Sequence, residues 1–392
     1  MAPTTGYAAG FAAEDTEISY AIESVWATLP SVAFKALRYT SVNMRGQKRR
    51  GRPQEIRADR QAAAAVTLSE EAGGQIGFGF SYGAYDDLLA GLLGNDWAAG
   101  PAITSSTVSV AAFNRIETTT PGLFAGIEPG QFVRLAGFSN ATNNQVVLVF
   151  DNVGDTILWV IAPTPLVVES AAAGHQVLSS GTLRNGNQFQ SFFLQRRFGS
   201  TMFLRYPGCF PRSASLQAQT GQFLNGTFDL LAQDETKSIT NASTGSVIAA
   251  PTGRVHDPVG GVVGFIANTA VQPRCTRFGL NIANEGAAGQ YALGSAKAQG
   301  VLPGVFTLSG SCELFFADFA LYDMFRAETP DVMGFITRSA LGTYGIGLPH
   351  TNLMNPQITA GGPGQPVMAT FDIEGNPHPT LGYTLRIDRI AA

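Results

Sequence analysis

A serine flanked by glycines is the feature of this sequence that most resembles a catalytic group. Residues 79–83 read Gly-Phe-Ser-Tyr-Gly, which matches the G-x-S-x-G turn in which Ser81 would attack an acyl carbon. That motif belongs to a fold with many alternating strands and helices, whereas this sequence predicts few helices. A second copy of the segment has Asp318 in the place of Ser81. We therefore predict that the chain is not an enzyme and keep a Ser81 hydrolase as an alternative.

No other residues have the spacing of a metal or cofactor site. The four histidines are scattered, and none has a second ligand at metal-site spacing: His175, His256, His350 and His378. The sequence has neither the glycine motif that binds phosphates nor the one that binds dinucleotides, so no cofactor is expected. The three cysteines form no CxxC pair, which is typical of small core residues in a protein made in a reducing cytosol.

Basic residues are concentrated in one short segment, the basic cluster: Arg45, Lys48, Arg49, Arg50 and Arg52. One interpretation is contact with nucleic acid, but no aromatic residues alternate with these charges for base stacking, and the rest of the chain is acidic. A second interpretation is a solvated loop. The third, which we favour, is docking onto an acidic surface of a neighbouring subunit, because complementary charge steers such contacts.

The elements that would position these residues occur twice. Residues 74–91 have a weaker copy at residues 311–328, in which Phe78 matches Phe315. In both copies an alternation of apolar residues changes to a helical spacing, which predicts a strand followed by a short helix. The predicted helix starts are Tyr85 and Asp86 in the first copy and Tyr322 and Asp323 in the second. One β-rich module therefore occurs twice in the chain.

The first hundred residues predict an arm and a long-tipped hairpin. Residues 1–30 are small and polar, and we expect an N-terminal arm that is ordered by its neighbours. Residues 31–44 and 56–68 are the predicted strands of the hairpin. Residues 45–55, which contain the basic cluster, are predicted to be the long loop between them. Residues 31–100 would then form part of the first module.

The middle of the chain has a different pattern of apolar and turn-forming residues. Within residues 101–180, short apolar runs such as QVVLVFD and TILWVIA alternate with turn signals. This pattern predicts a small β-barrel or immunoglobulin-like domain inserted into the first module. Residues 181–392 would hold the remainder of the first module and the second module. The predicted fold class is therefore mainly β.

The low charge content suggests that much of the surface is covered by other subunits. Charged residues are 14% of the 392 residues, against about 25% in a typical soluble protein. The net charge of −4 argues against general affinity for nucleic acid. No apolar run reaches about 18 residues, and the N-terminus lacks the basic start and apolar core of a secretion signal. No membrane partner is therefore expected.

The order of these segments resembles the major tail-tube proteins of long-tailed, siphovirus-type bacteriophages. The resemblance is carried by FKALRYTSVNMRGQKRRGRPQEIRADRQ, GGQIGFGFSYGAYDDLLAGLLGNDW, FTLSGSCELFFADFALYDMF and the terminal ATFDIEGN and TLRIDRI. It covers residues 31–100 and most of residues 181–392. It implies two tail-tube β-sandwich modules, each with a flanking short helix, that form part of a ring-shaped β-barrel.

The resemblance also implies a function and partners. Such subunits stack as rings into a hollow tube that guides DNA from capsid to host and houses the tape-measure protein. Most members have one module and form hexameric rings, whereas two-module relatives form trimeric, pseudo-hexameric rings, so the duplication here favours a homotrimer. The implied partners are the chain itself, the tape-measure protein, the tail terminator and distal tail proteins, and DNA transiently in the lumen. The implied location is the virion tail, after synthesis in the host bacterial cytoplasm.

Two further expectations follow from the resemblance. It places residues 101–180 on the tube exterior, and it assigns the loop of residues 45–55, with its basic cluster, to the contact with the adjacent ring. The alternative function is a virion surface or receptor-binding protein that uses residues 101–180 as its binding module. Apart from Trp159, this segment lacks the exposed aromatic residues that such a module would use.

Overall fold

A computed structural model describes residues 10–56 and 58–392. The first nine residues of the predicted N-terminal arm, and Arg57 beside the basic cluster, lie outside this description. Antiparallel strands form most of the regular structure, which confirms the prediction of a mainly β fold. Within the described ranges, no helix is long and apolar enough to cross a membrane.

The elements follow each other in three groups. The first group is β1 (Thr16–Ile22), β2 (Lys35–Leu37), β3 (Ser41–Val42), β4 (Arg45–Gly51), β5 (Val66–Gly79) and α1 (Asp86–Leu93). The second group is β6 (Ala102–Ser105), β7 (Val108–Ala111), β8 (Arg115–Thr118), β9 (Phe132–Ala136), β10 (Val146–Val153), β11 (Ile157–Ile161) and β12 (His175–Leu178). The third group is β13 (Gly181–Arg184), β14 (Phe192–Phe198), β15 (Met202–Gln219), β16 (Asn225–Ala232), β17 (Thr236–Ser238), β18 (Val262–Ala267), β19 (Ala270–Val271), β20 (Cys275–Glu285), β21 (Ala288–Gln290), β22 (Gly300–Leu302), β23 (Val305–Phe315), α2 (Ala320–Arg326), β24 (Asp331–Ser339), β25 (Gly342–Ala360), β26 (Val367–Gly375) and β27 (Arg386–Ala391).

One long antiparallel sheet runs through both halves of the chain. Its strand order is β4–β5–β16–β15–β20–β23–β26–β25, and β3 continues the edge formed by β4. The second group of strands forms a separate sheet in the order β6–β12–β9–β10–β11–β8–β7, around its own apolar core. We call this sheet, with its connecting segments, the insert.

Two long strands, β15 and β25, pass from the long sheet into a second layer. The first half of β15 pairs with β14 and β17, whereas its second half pairs with β16 and β20. Likewise, the first half of β25 pairs with β24 and β27, and its second half with β26. The main apolar core lies between the layers and includes residues of both helices. Each half of the chain is therefore a two-layered sandwich with one helix.

The ladder of the long sheet shows how the two modules correspond. Ile76 on β5 lies opposite Phe228 on β16, and Cys312 on β23 lies opposite Phe371 on β26. In this register the counterpart of Phe78 is Leu314, so the sequence match of Phe78 with Phe315 was wrong by one residue. Phe78 and Leu314 are buried, but Phe315 is 46% exposed. A shift of one residue places a side chain on the opposite face of a strand.

The predicted loop of residues 45–55 is largely a strand, and this prediction was wrong. Residues Arg45–Gly51 form β4 and pair along β5, with Arg45 opposite Gly73 and Lys48 opposite Glu70. The connection at the tip of the hairpin is residues 52–65. Most side chains of β4 are exposed on both faces, so the strand lacks the apolar alternation that reveals a half-buried strand in a sequence.

Candidate assembly surfaces

Ser81 is a buried structural residue in this fold. Its side chain is 1% exposed, and its hydroxyl accepts a hydrogen bond from Arg38 at 3.2 Å. His256, on the neighbouring segment, is not bonded to Ser81 as a base would be: Nδ1 lies 2.7 Å from the hydroxyl of Thr337, and buried Nε2 has no hydrogen-bond partner among the described residues. The glycine-flanked serine therefore lacks the base and the access that a nucleophile needs.

The described residues also contain no metal cluster. Across residues 10–56 and 58–392, no group of three or more histidine, cysteine, aspartate or glutamate residues is placed to hold a metal ion. Cys209 and Cys312 are buried, and burial raises the pKa of the half-buried Cys275 thiol to about 11. These thiols are therefore protonated and weakly reactive at neutral pH.

The start of α1 joins the two modules. Asp86 is its first residue, and the carboxylate accepts hydrogen bonds from the hydroxyl of Tyr344 on β25 and the guanidinium of Arg389 on β27. Tyr85 is buried and donates to the carbonyl of Gly79 at 3.1 Å. The predicted Tyr-Asp helix start of the first copy thus lies at the junction between the modules.

The start of α2 differs from the prediction. The helix begins at Ala320, so Tyr322 and Asp323 lie inside it rather than at its start. Just before the helix, the side chain of Asp318 accepts a hydrogen bond from the backbone of Ala320 at 3.2 Å, which closes a turn two residues before the first helical residue. Within α2 only Leu321 is buried.

The basic cluster lies on the arm formed by β4 and β5. Lys48 pairs with Glu70 at 2.6 Å, and Arg50 and Arg52 donate to backbone carbonyls across the hairpin at 2.7 and 3.0 Å. The side chains of Arg45 and Arg49 have no hydrogen bond or ion pair to any residue that the structure describes. The arm extends beyond the rest of the long sheet, because β16 pairs with β5 only from residue 72 onward. Six residues of β5 at 3.3 Å each give an extension of about 20 Å.

The hairpin of β20 and β23 has no such free extension. Its tip folds onto the base of the basic arm, where Ala296 accepts a hydrogen bond from the backbone of Glu70 at 2.7 Å. Lys297 in the same tip pairs with Asp234 at 2.6 Å. Asn284 is buried and donates to the carbonyl of Leu92 at the end of α1, at 3.0 Å. The two modules are therefore joined by the pairing of β15 with β20 and by these polar contacts.

The long sheet has one unpaired edge at each end. On β3 and β4, residues pair with β5 alone among the described strands. On β25, residues 352–360 pair with β26 alone, and Met354 and Ile358 are 37% and 41% exposed. Unpaired backbone groups along a sheet edge favour pairing with another strand.

The insert is fixed to the second layer by buried charges that the sequence reasoning missed. Arg386 and Asp388 on β27 are 1% and 0% exposed and lie 2.9 Å apart. Arg386 also pairs with Glu128 of the insert at 3.0 Å, and Asp388 accepts from the backbone of Phe132 at 2.7 Å. Asp388 raises the pKa of the Arg386 guanidinium, so this cation persists despite burial. The only signal in the sequence is the alternation of charges in the terminal TLRIDRI.

Two sandwiches fused through one sheet, with an unpaired strand edge at each end of the described sheet, form an architecture suited to assembly. A protein-family model described as phage tail tube protein matches residues 13–375. The chain belongs to the phage tail tube protein family. This family is structural and not enzymatic, so this tail tube protein is a structural subunit of the virion tail, as the sequence predicted. A search of the curated proteins found no match.

Proposed function

We propose that this tail tube protein forms trimeric rings, and that the rings stack into the hollow tube of a siphovirus-type tail. The observation that carries the proposal is the pair of unpaired edges on a sheet that already joins two equivalent modules. Three chains give six modules. Pairing the β25 edge of each chain with the β3–β4 edge of the next leaves no free edge on the long sheets. A ring made this way has pseudo-sixfold symmetry from three copies.

The pairing of β15 with β20 between the two modules of one chain is the basis for the pairing that we propose between copies. Within the chain, Ser215 on β15 lies opposite Asn281 on β20. The counterpart of β15 is β25, and the counterpart of β20 is the β3–β4 edge. Transferring the register places Gln357 of one subunit opposite Arg45 of the next. The joint is therefore a continuation of an antiparallel ladder that the fold already contains.

The charge on one face of the long sheet supports a passage for DNA. The face opposite the apolar core has more acidic than basic residues along its strands. The acidic residues are Glu71, Asp229, Glu285, Glu313, Asp372 and Glu374, and the basic residues are Arg45, Arg49, Arg212 and Arg277. Phosphates repeat about every 1.7 Å along duplex DNA, so a basic lining would hold the duplex firmly. An acidic lining lets DNA slide, and it suits a lumen that first houses a tape-measure protein.

The basic arm is suited to the contact between rings. It carries the basic cluster, Arg45, Lys48, Arg49, Arg50 and Arg52, and its outer part projects past β16. A projecting cationic arm docks on an acidic surface of the next ring, because opposite charges steer and align the two faces. Rings that stack through one such face and a different opposing face extend into a filament.

The insert and the remaining partners complete the proposal. The insert packs on β25 and β27 in the second layer, on the side away from the proposed lumen, which favours the tube exterior. The ends of such a tube need partners that close them, here a tail terminator and distal tail proteins. Synthesis in the host bacterial cytoplasm is consistent with the free, mostly buried cysteines.

The first test is electron microscopy of the purified chain at high concentration. We expect hollow tubes whose cross-section has threefold symmetry with a pseudo-sixfold outline. A chain that remains monomeric at every concentration would refute the assembly. Tubes with strict sixfold symmetry and six chains per ring would refute the trimer alone.

The second test reverses the charge of the outer arm by changing Arg49, Arg50 and Arg52 to Glu. We expect single rings without long tubes, because the variant loses its attraction to the next ring. A matched control changes Arg115, Arg254 and Arg338, which lie away from the arm, to Glu. Tubes of normal length from the arm variant would show that the arm does not stack the rings.

A further inference from the structure

The two helices of the duplicated module differ in what covers them. In α1, residues from Leu88 to Leu93 are buried. Around α2, by contrast, the ring of Phe319 is exposed and contacts the half-buried rings of Phe316 and Tyr322. Phe319 is 59% exposed. An apolar surface of this kind marks a site of contact with another protein surface.

Part of the cover over α1 comes from the second module of the same chain. Tyr344, near the start of β25, donates to the carboxylate of Asp86 and accepts from the backbone of Gly83 at 2.9 Å. Its ring also packs against Phe80, with centroids 5.2 Å apart. Arg389, which lies opposite Tyr344 on β27, pairs with Asp86. The residues expected to face α2 are therefore those at the positions equivalent to Tyr344 and Arg389.

The correspondence of β15 with β25 identifies the equivalent positions in the first module. Leu348 and Ile346 point into the core from β25, as Tyr206 and Leu204 do from β15. One step further toward the start of each strand, Tyr344 corresponds to Met202. Lys237 lies opposite Leu204 on β17, so the position that corresponds to Arg389 is Ile239, two residues after Lys237.

Both equivalent positions are apolar and uncovered. Met202 is 53% exposed and Ile239 is 81% exposed, whereas Tyr344 is 1% exposed. On the helix side, Phe319 immediately precedes α2, as Tyr85 immediately precedes α1. Within the chain Tyr344 covers the start of α1, so the equivalent position, Met202 of a second copy, would cover the start of α2 beside Phe319.

We propose that the aromatic face of α2 docks on Met202 and Ile239 of a second copy of this chain. This inference rests on the proposed ring, in which the second module of one subunit adjoins the first module of the next. The occupant is a second copy because the chain's own junction has the same geometry, and because both surfaces are apolar and exposed. Burial of such aromatic and aliphatic side chains is the usual source of interface affinity.

The proposed docking differs in chemistry from the junction between the two modules within a chain. Within a chain, α1 is held by a carboxylate that bonds to a tyrosine and an arginine. Between chains, α2 would be held by apolar contacts alone. Placing Asp86 against Met202 and Ile239 would bury an unpaired carboxylate, which is strongly unfavourable. The two chemistries therefore keep the junctions from substituting for one another.

Cysteine cross-linking tests the contact. Met202 and Phe319 are changed to Cys in one chain, and assembled tubes are treated with a short bismaleimide and run on a denaturing gel. We expect covalent dimers and trimers, with the trimer as the largest product of a closed ring. The matched control pairs Phe319→Cys with Phe113→Cys, because Phe113 is 84% exposed on the insert and should not cross-link. Tubes that form normally without cross-linking at Met202 would overturn the inference and leave the tube itself intact.

Polar substitution gives a second test with a different readout. Phe319→Glu and Met202→Glu should each leave the isolated chain folded, because both side chains are exposed in it. Each should raise the concentration needed for tube assembly by about tenfold or more, as loss of an interface anchor does. Combining Phe319→Glu with Met202→Lys should recover part of this loss through a new ion pair. Unchanged assembly of both single variants would also overturn the inference, whereas an unmodified chain that never assembles would refute the ring on which it rests.

Discussion

Acidification should destabilise this protein through one buried histidine. The side chain of His256 is 1% exposed, and its ring packs edge-on against Phe80, with centroids 5.5 Å apart. Nδ1 lies 2.7 Å from the hydroxyl of Thr337, and no residue that the structure describes accepts a hydrogen bond at Nε2 to stabilise a second proton. Burial therefore lowers the pKa of His256 from 6.5 to about 4, and the charge of Asp257 opposes this shift.

The sign and size of the effect follow from this pKa. The unfolded chain takes up a proton on this histidine near pH 6.5, whereas the folded chain does so only near pH 4. The contribution of His256 to the stability of the folded state is therefore fully present above pH 6.5. It is lost progressively as the pH falls from 6.5 toward 4. At 1.36 kcal/mol for each pKa unit, the free energy of unfolding falls by about 2 kcal/mol between pH 7 and pH 5.

Urea unfolding followed by tryptophan fluorescence at pH 7 and pH 5 measures this loss. His256→Asn removes the titrating group and keeps a polar atom near Thr337, so its loss of stability should be smaller by about 2 kcal/mol. Thr337→Val is the matched control, because it removes the hydrogen-bond partner and leaves the histidine. If the unmodified chain and His256→Asn lost equal stability over this interval, His256 would not be the cause.

Two further predictions concern the attachment of the insert to the second layer. Arg386→Met should lower the free energy of unfolding by about 3–5 kcal/mol, because it leaves the carboxylate of Asp388 buried without its partner; calorimetry of the purified variant measures this. Gly345→Ala places a methyl group 2.2 Å from the ring of Phe132 and should cost about 1–3 kcal/mol. In the same assay Gly279→Ala should cost less, because its added methyl group meets only Ser311, at 3.5 Å.

The periodicity of single segments predicted more of the fold than of the surfaces. The helix that begins at Asp86 follows from acidic residues placed before an apolar helical spacing. The second helix begins before Tyr322, directly after a turn in which Asp318 accepts a hydrogen bond from the backbone of Ala320, and no period in the sequence reports a turn of this kind. The strand β4 carries no apolar alternation, so its pairing with β5 became visible only through the backbone ladder.

The sequence by itself determined that the chain is mainly β, that one module occurs twice, and that basic residues are concentrated near residue 50. These properties depend on the identity and spacing of neighbouring residues, which a sequence states directly. The tertiary structure alone decided that Leu314 and not Phe315 corresponds to Phe78, and that Arg386 and Asp388 are buried together. It also decided that β4 and β25 are the edge strands of the long sheet among the described residues. Burial and strand pairing join residues far apart in the chain, so no local pattern encodes them.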